Sequence, residues 1–293
     1  MATEVEAKLE RVLARVGDLP AMPETVAEVL RLADDPDVEM GKIGDVISRD
    51  PALTAKILRV SNSSYYGMRQ YVGTIKLALV ILGVREVRNI VLGVSLFESM
   101  RSETSEDVLT TEYWTHCFSA ASMCKDLGNR LKLKLQGEDF VAGLLHDIGK
   151  MVLCRQLGDD YANLFRRSKG DPTRLLELEV AELEFTHAEV GAALCARWNL
   201  PKTLSDSIWC HHPVAGRDLR TAKDPSLASV VRIANLALHD NLTSAVENES
   251  LACTDTEAWS ILATAPVPLL VDERREFLTT LVRDIIARPP LKF

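Results

Sequence analysis

A histidine and an aspartate stand side by side, at His146 and Asp147, inside an apolar stretch that reads GLLHDIGK. Imidazole nitrogen and carboxylate oxygen are both ligands that suit a divalent transition metal such as zinc, iron or manganese. Gly149, just after them, would let a second backbone segment or a ligand come close. An adjacent pair of this kind also fits a hydrogen-bonded structural role, so the dipeptide alone leaves both interpretations open.

The other histidines favour the metal interpretation. Five of the six in the chain fall between residues 116 and 212, each in a segment with helical periodicity. Each also has a structural alternative, since a histidine in a core, at a helix cap or at a helix C-terminus needs no metal. Together, however, five imidazoles and a carboxylate provide enough ligands for one four-coordinate ion and part of a second. These predicted ligands are His116, His146, Asp147, His187, His211 and His212.

The composition excludes several classes of protein. The chain has 293 residues, 47% of them hydrophobic, which is enough for one large core or two modest domains. Its net charge of −8 disfavours broad attraction to nucleic acid or to an anionic membrane. No apolar run reaches about 18 residues, and the N-terminal segment is charged throughout. We therefore expect a cytoplasmic protein with no membrane partner. The cysteines form no CxxC pair, so neither disulfides nor a thiolate metal site is expected.

Helical periodicity runs through most of the chain and no stretch alternates cleanly, so the expected fold class is all-α. The polar, acidic residues 101–111 are predicted to form the main internal boundary, and the Glu-rich segment 171–185 is predicted to be a helix with a solvated acidic face. Two short helices within residues 40–60 also fit a helix-turn-helix, but the second is mostly apolar, so core packing is the better interpretation. The predicted helices cover residues 4–16, 24–33, 40–49, 51–60, 75–82, 84–100, 113–127, 140–153, 171–185, 187–198, 202–212, 229–240, 254–262 and 271–287.

Six segments carry a resemblance to a known family: LPAMPETVAEVLRLADDP, ISRDPALTAKILRVSNSSYYG, TIKLALVILGVREVRNIVL, GLLHDIGKMVL, THAEVGAALCARWNLP and CHHP. Over about residues 12–240 the sequence resembles the HDOD family, the HD-related output domain of bacterial signalling proteins, within the HD superfamily of metal-dependent phosphohydrolases. The N-terminal segments favour HDOD over the catalytic relatives. The resemblance implies an N-terminal helical lobe (residues 1–105) packed on an HD-like helical bundle with the metal site (106–240), followed by C-terminal helices (241–293).

The resemblance also implies roles for single residues. The six ligands predicted above match the metal ligands of the HD pattern, but the closing aspartate of that pattern falls at Asn235, whose neutral oxygen is a weaker ligand. Asp240, five residues on, would face away on a helix. The Gly-Tyr-Pro motif of cyclic-dinucleotide phosphodiesterases is missing after CHHP. The implied cofactor is a divalent first-row transition metal (Fe, Mn, Zn or Ni), with one or two ions per chain.

The favoured function is a bacterial signal-transduction module, a non-catalytic signalling or scaffold domain with a retained metal site. The alternative is a metal-dependent phosphohydrolase acting on a nucleotide or cyclic (di)nucleotide, in which Lys150 would contact a phosphate. Lys150 also fits a solvated lysine at a helix end. Asn235 and the missing Gly-Tyr-Pro motif favour the first function. The expected partners are other signalling proteins, with a second copy of the chain and a nucleotide or phosphate ligand as further alternatives; nucleic acid is disfavoured.

Overall fold

The structure is a computed structural model that describes residues 14, 21–35, 37–63, 66, 68, 70–100, 107–135, 137–240 and 250–288. Helices dominate these residues and none of them forms a β-strand, so the all-α prediction is confirmed for the described part of the chain. The predicted helix 4–16 lies outside the described residues, apart from residue 14.

The described residues form an N-terminal lobe, a central bundle and a C-terminal group of helices. The lobe contains α1 (Glu24–Ala33), α2 (Met40–Ser48), α3 (Pro51–Ser61), α4 (Ile75–Leu82) and α5 (Val84–Met100). The bundle contains α6 (Asp107–Arg130), α7 (Glu138–Leu145), α8 (Ile148–Leu157), α9 (Asp159–Ser168), α10 (Pro172–Leu183), α11 (His187–Arg197), α12 (Lys202–Cys210), a 3₁₀ turn (Leu219–Thr221) and α13 (Pro225–His239). The last group contains α14 (Leu251–Thr254), α15 (Thr256–Leu262) and α16 (Val271–Ile286).

The helix pair α2 and α3 packs into the core of the lobe. Ile43, Ile47 and Ile57 are buried between these helices and their neighbours. The side chain of Asp50 caps α3 by accepting the N–H of Leu53 at 3.0 Å. The pair therefore packs as a core element, in agreement with the interpretation preferred over a helix-turn-helix.

Helix α6 begins at Asp107, inside the polar stretch 101–111, so the predicted helix start at residue 113 is wrong. An acidic residue in the first turn stabilises a helix through its dipole, so a polar composition does not by itself exclude a helix. The longer α6 provides a wall against which α7, α13 and α16 pack.

The prediction of one continuous helix over residues 140–153 is wrong, because the helix is interrupted at His146 and Asp147. Nδ1 of His146 donates to the carbonyl oxygen of Gly143 at 2.7 Å, and Asp147 leaves the helical conformation with φ −100° and ψ 8°. Helix α7 ends before this turn and α8 starts after it. Both side chains therefore project into the bundle from a turn between two helices.

The C-terminal helices complete the core of the bundle. Helices α14 and α15 pack on α13, and α16 packs on α6, with Trp259 and Leu278 buried. The predicted helices 254–262 and 271–287 correspond to α15 and α16, whereas α14 was not predicted. The buried hydrophobic residues of all three parts form one continuous cluster. No helix in the described ranges is long and apolar enough to cross a membrane.

Candidate metal centre

The residues predicted as ligands converge on one place inside the bundle. They are His116 on α6, His146 and Asp147 in the turn between α7 and α8, His187 at the start of α11, His211 and His212 just after α12, and Asn235 on α13. All are buried except His116, whose side chain is 19% exposed. Separate helices therefore deliver a cluster of imidazoles and one carboxylate to an interior that excludes water.

Four of these residues form what we call the inner group: Asp147, His187, His211 and His212. Their ligand atoms all lie within 4.8 Å of one another. Nε2 of His187 lies 3.0 Å from Nε2 of His212 and 3.3 Å from Nε2 of His211. Oδ1 of Asp147 lies 3.3 Å from Nε2 of His187 and 3.4 Å from Nε2 of His211. This set of three imidazoles and a carboxylate can supply all the ligands of one four-coordinate ion.

The outer group consists of His116, His146 and the same Asp147, again within 4.8 Å of one another. The two Nε2 atoms lie 3.1 Å apart, and Oδ2 of Asp147 lies 3.7 Å from His116 and 3.4 Å from His146. Oδ1 of Asn235 lies 3.2 Å from Nε2 of His116. Asp147 therefore presents one oxygen to each group, as a carboxylate that bridges two ion positions would.

The hydrogen bonds of the ring nitrogens decide which nitrogen is free to bind an ion. Nδ1 of His146 faces the Gly143 carbonyl, and Nδ1 of His211 faces the carbonyl oxygen of Ile208 at 2.6 Å. A carbonyl oxygen can only accept, so each Nδ1 carries the proton and each Nε2 of a neutral ring carries a lone pair. Nδ1 of His187 faces the Glu179 carboxylate at 2.8 Å, so its Nε2 carries a lone pair as well. The lone pairs of His187 and His211 face each other at 3.3 Å and repel unless a proton or a cation lies between them. The donor set therefore fits a bound cation.

The charges of the centre fit a cation as well. Burial lowers the pKa of His211 to about 3 and holds the pKa values of His116 and His212 well below the ordinary range, so these rings stay neutral. Burial alone would raise the pKa of Asp147, but the Lys150 ammonium and His146 lower it well below its usual value. Oδ1 of Asp147 and Nδ2 of Asn235 are also buried without a hydrogen-bond partner. These three neutral imidazoles beside an anionic carboxylate fit a divalent cation.

Lys150 lies inside the centre rather than at a solvated helix end. Its side chain is 9% exposed and its Nζ donates to Oδ2 of Asp147 at 2.6 Å. The ammonium therefore shares with the outer group the oxygen that a second ion would need.

The N-terminal cap of α11 fixes the position of His187. Oγ1 of Thr186 accepts the N–H of Glu189 at 3.4 Å, and the Glu189 carboxylate accepts the N–H of Thr186 at 2.8 Å, which together form a capping box. Arg217 donates to Oγ1 of Thr186 at 2.7 Å and supports the same turn.

Sequence reasoning missed Glu179, which was assigned to a solvated acidic face. Its side chain is 0% exposed and accepts from the backbone N–H of His187 at 3.0 Å and from Nδ1 of His187 at 2.8 Å. Burial alone would raise the pKa of Glu179, but His187 and Tyr161 lower it, so Glu179 is a carboxylate. Its charge outweighs the effect of burial on His187 and raises the pKa of that ring. The signal that could have found Glu179 is its place on the apolar stripe of Leu175 and Leu178.

The sixth histidine, His239, was not predicted to belong to the site. It ends α13, one turn after Asn235, and the centroid of its ring lies 4.7 Å from that of His116. His239 is exposed, so it lies on the side of the centre where His116 reaches solvent. Asp240 contacts other residues instead of the centre. Its Oδ2 accepts from Oγ of Ser250 at 2.6 Å and from the N–H of Ala252 at 2.9 Å.

Fold and site together define an all-α protein of the lobe-and-bundle type with a buried His/Asp cluster that could bind a metal. The model of the HDOD domain family matches residues 19–214, and the chain belongs to the HDOD family. The family expected from the sequence motifs is thereby confirmed.

Individual relatives support the fold. An uncharacterized protein of Treponema pallidum (strain Nichols) is 28% identical over 229 residues, which is 76% of this chain but only 43% of that relative. The chain thus spans less than half the length of the relative it matches. An HDOD domain protein of unknown function from Geobacter sulfurreducens has a TM-score of 0.73 and 21% identity, with 96% of this chain and 97% of that chain covered.

Two further solved structures share this fold. A candidate phosphohydrolase of Shewanella amazonensis SB2B has a TM-score of 0.66 and 24% identity over 96% of this chain and 93% of its own. A candidate signal transduction protein of Marinobacter aquaeolei VT8 has a TM-score of 0.67 and 22% identity over 98% of this chain and 61% of its own. At such identities these likenesses bear on the fold alone.

Proposed function

We propose that this protein is a signalling module that holds a divalent transition metal as an internal structural element. The observation that carries the proposal is the closure of the inner group, whose four residues are each at most 3% exposed. An ion held there would have its ligands supplied by the protein and little room for a substrate. A structural metal site is typically closed in this way, whereas a catalytic site keeps a position open.

The origin of the ligands supports a structural and signalling role. They come from α6, from the turn between α7 and α8, and from the ends or faces of α11, α12 and α13. An ion in the inner group would tie the turn after α7 to the start of α11 and the end of α12, and an ion in the outer group would add α6. Because these segments are distant in sequence, bound metal would change the stability of the bundle. The Marinobacter relative, described as a candidate signal transduction protein, agrees with this role.

The ligand types bear on the identity of the ion. Imidazole and carboxylate ligands suit Zn, Fe, Mn or Ni, and we propose one ion in the inner group and a weaker second ion in the outer group. A cytoplasmic location and partners among other signalling proteins belong to the same proposal and rest on the sequence alone.

A second candidate, phosphoester hydrolysis on a nucleotide or cyclic nucleotide, is favoured by the outer group. His116 reaches solvent there, so a phosphate could approach from that side. The Lys150 ammonium lies beside Asp147, in a position to contact a phosphate oxygen. Bound divalent ions polarise phosphoryl oxygens and activate water. In this candidate Lys150 would release Asp147 and pair with the phosphate. The Shewanella relative is described as a candidate phosphohydrolase.

Elemental analysis of protein purified without chelator tests the metal proposal. We expect about one equivalent of a first-row transition ion per chain, since the inner group offers a full set of four ligands. The double variant His146→Ala with Asp147→Ala should lose it, because Asp147 serves both groups. Glu177→Ala, at an exposed position of α10, is the matched control and should keep it. Less than about a tenth of an equivalent in the wild-type protein would contradict the proposal.

A hydrolysis assay separates the two candidates. Cyclic dinucleotides, mononucleotides and a generic phosphodiester are incubated with the protein and added Mn²⁺ or Fe²⁺. The structural role predicts no turnover above that of the His146→Ala, Asp147→Ala variant. Metal-dependent turnover that this variant abolishes would instead establish the second candidate.

A further inference from the structure

Glu179 on α10 is the most completely enclosed acidic side chain around the centre. Its side chain is 0% exposed, whereas Glu177 and Glu182 on the same helix are 58% and 44% exposed and pair with exposed arginines. A carboxylate deprived of water is destabilising unless charge and hydrogen bonds compensate for the loss. Glu179 therefore lies where burial of a neutral side chain would destabilise the fold less.

The compensation comes from two residues. Glu179 accepts from the backbone N–H of His187 at 3.0 Å, from Nδ1 of His187 at 2.8 Å and from the hydroxyl of Tyr161 at 2.5 Å. Tyr161 on α9 is itself fully buried. The three bonds hold the carboxylate, and the carboxylate in turn holds both the backbone and the ring of the first residue of α11.

This contact has two consequences for His187. A proton on Nδ1 that is donated to Glu179 leaves the lone pair of Nε2 pointing at Asp147, His211 and His212, which is the orientation a metal ligand needs. An anionic partner also makes the imidazole a more basic ligand than a neutral partner does. His146 of the outer group has only the neutral carbonyl of Gly143 in this role.

We propose that Glu179 is a positioning residue that makes the inner group the tighter of the two ion positions, with Tyr161 holding the Glu179 carboxylate in place. This inference rests on the proposed function, because it concerns an ion at that site. Glu179 acts through His187 and does not itself reach the ion position.

The test replaces the charge and keeps the shape. Glu179→Gln should weaken the tighter of the two ions about 10- to 100-fold, as loss of such a partner does at other metal sites, and leave the weaker ion unchanged. Affinity is measured by competition between the protein and a chelator for Co²⁺ or Zn²⁺. Glu182→Gln, on the exposed face of α10, is the matched control and should bind as the wild type does. Tyr161→Phe keeps the charge and should show a smaller loss confined to the same ion.

A spectroscopic signal separates positioning from folding. In the Co²⁺-loaded protein the ring N–H of His187 should give a paramagnetically shifted proton signal, which Glu179→Gln should move while the signal of His146 stays in place. Thermal unfolding of each metal-free variant reports its fold. If Glu179→Gln does not fold, Glu179→Asp, which keeps the charge, should show a smaller loss at the same ion only.

Three results would overturn the inference. One is a Glu179→Gln protein, or its Glu179→Asp substitute, that binds both ions as the wild type does; another is an equal loss at both ions. A wild-type protein that takes up no ion would overturn the proposed function and this inference together, whereas the first two results leave metal binding intact.

Discussion

Asp147 is the residue on which both halves of the centre depend. Its two oxygens face different histidine sets, with Oδ1 toward His187 and His211 and Oδ2 toward His116 and His146. Such a carboxylate would couple two bound ions, because an ion at one position would draw its charge away from the other. Lys150 donates to Oδ2 at 2.6 Å and would therefore compete with an ion in the outer group more than with one in the inner group.

Asn235 is the second residue whose chemistry distinguishes the two groups. Its amide oxygen lies 3.2 Å from Nε2 of His116, where a carboxylate would add a full negative charge. Asn235→Asp should therefore tighten the outer ion about tenfold, or ~1.4 kcal/mol, measured by the same chelator competition. The exposed Asn129→Asp on α6 is its control and should change neither ion. If Asn235→Asp leaves the second affinity unchanged, the outer group does not hold an ion as described.

At the scale of elements, the centre depends on the close approach of α8 and α11. A Cβ atom at Gly149 would overlap the carbonyl oxygen of His187 and come within 2.8 Å of the backbone nitrogen of Gly191. Gly143 on α7 is similarly close to α6, since its Cβ would lie 2.7 Å from Cα of Ala121. Gly149 thus lets α8 contact the first turn of α11, which agrees with the expectation from the sequence, and Gly143 lets α7 contact α6.

Gly149→Ala should therefore push α11 away and damage both stability and metal binding. Overpacking of this kind costs about 1–3 kcal/mol, and more where backbone atoms clash, so urea unfolding should show a loss in at least this range. Gly41→Ala in α2 is the matched control: its Cβ would meet nothing within 4 Å, and alanine should stabilise the helix by up to about 1 kcal/mol. Equal stability of the Gly149→Ala protein and the wild type would show that the two helices are not packed in this way.

At the scale of the whole molecule, the ion position lies where helices from distant parts of the chain meet. Helix α13 carries Asn235 and packs on α6, α7, α12 and the C-terminal helices, and the hydrophobic core continues from there into the lobe. Loss of an ion would therefore loosen contacts well beyond the centre.

Metal removal should for this reason lower the thermal stability of the entire bundle. An ion present at 100 times its Kd adds ~2.7 kcal/mol to the free energy of unfolding, so chelation should lower Tm and added Zn²⁺ should restore it in a single transition. The His146→Ala, Asp147→Ala variant is the control and should not respond to either treatment. If the Tm of metal-containing wild-type protein stays unchanged with chelator and with Zn²⁺, the metal does not tie the helices together.

The sequence predicted which residues converge better than it predicted the residues that support them. Residue type and spacing were enough to name the cluster, because histidines and an aspartate on apolar helical segments share one chemistry, that of metal ligands. The break at His146 and Asp147 could not be predicted, since apolar periodicity continues through it and the cause is a side-chain bond to a carbonyl. The role of Glu179 was hidden by the surrounding glutamates, and it depends on contacts with two other helices.

Anomalous diffraction at the absorption edge of the bound metal tests the central claim most directly. In crystals of protein purified without chelator, we predict a peak at about 2.0–2.3 Å from Nε2 of the inner histidines and from Oδ1 of Asp147. Absence of a peak at that place, in protein shown to contain an equivalent of metal, would contradict the account, and so would an ion ligated by cysteines or surface carboxylates.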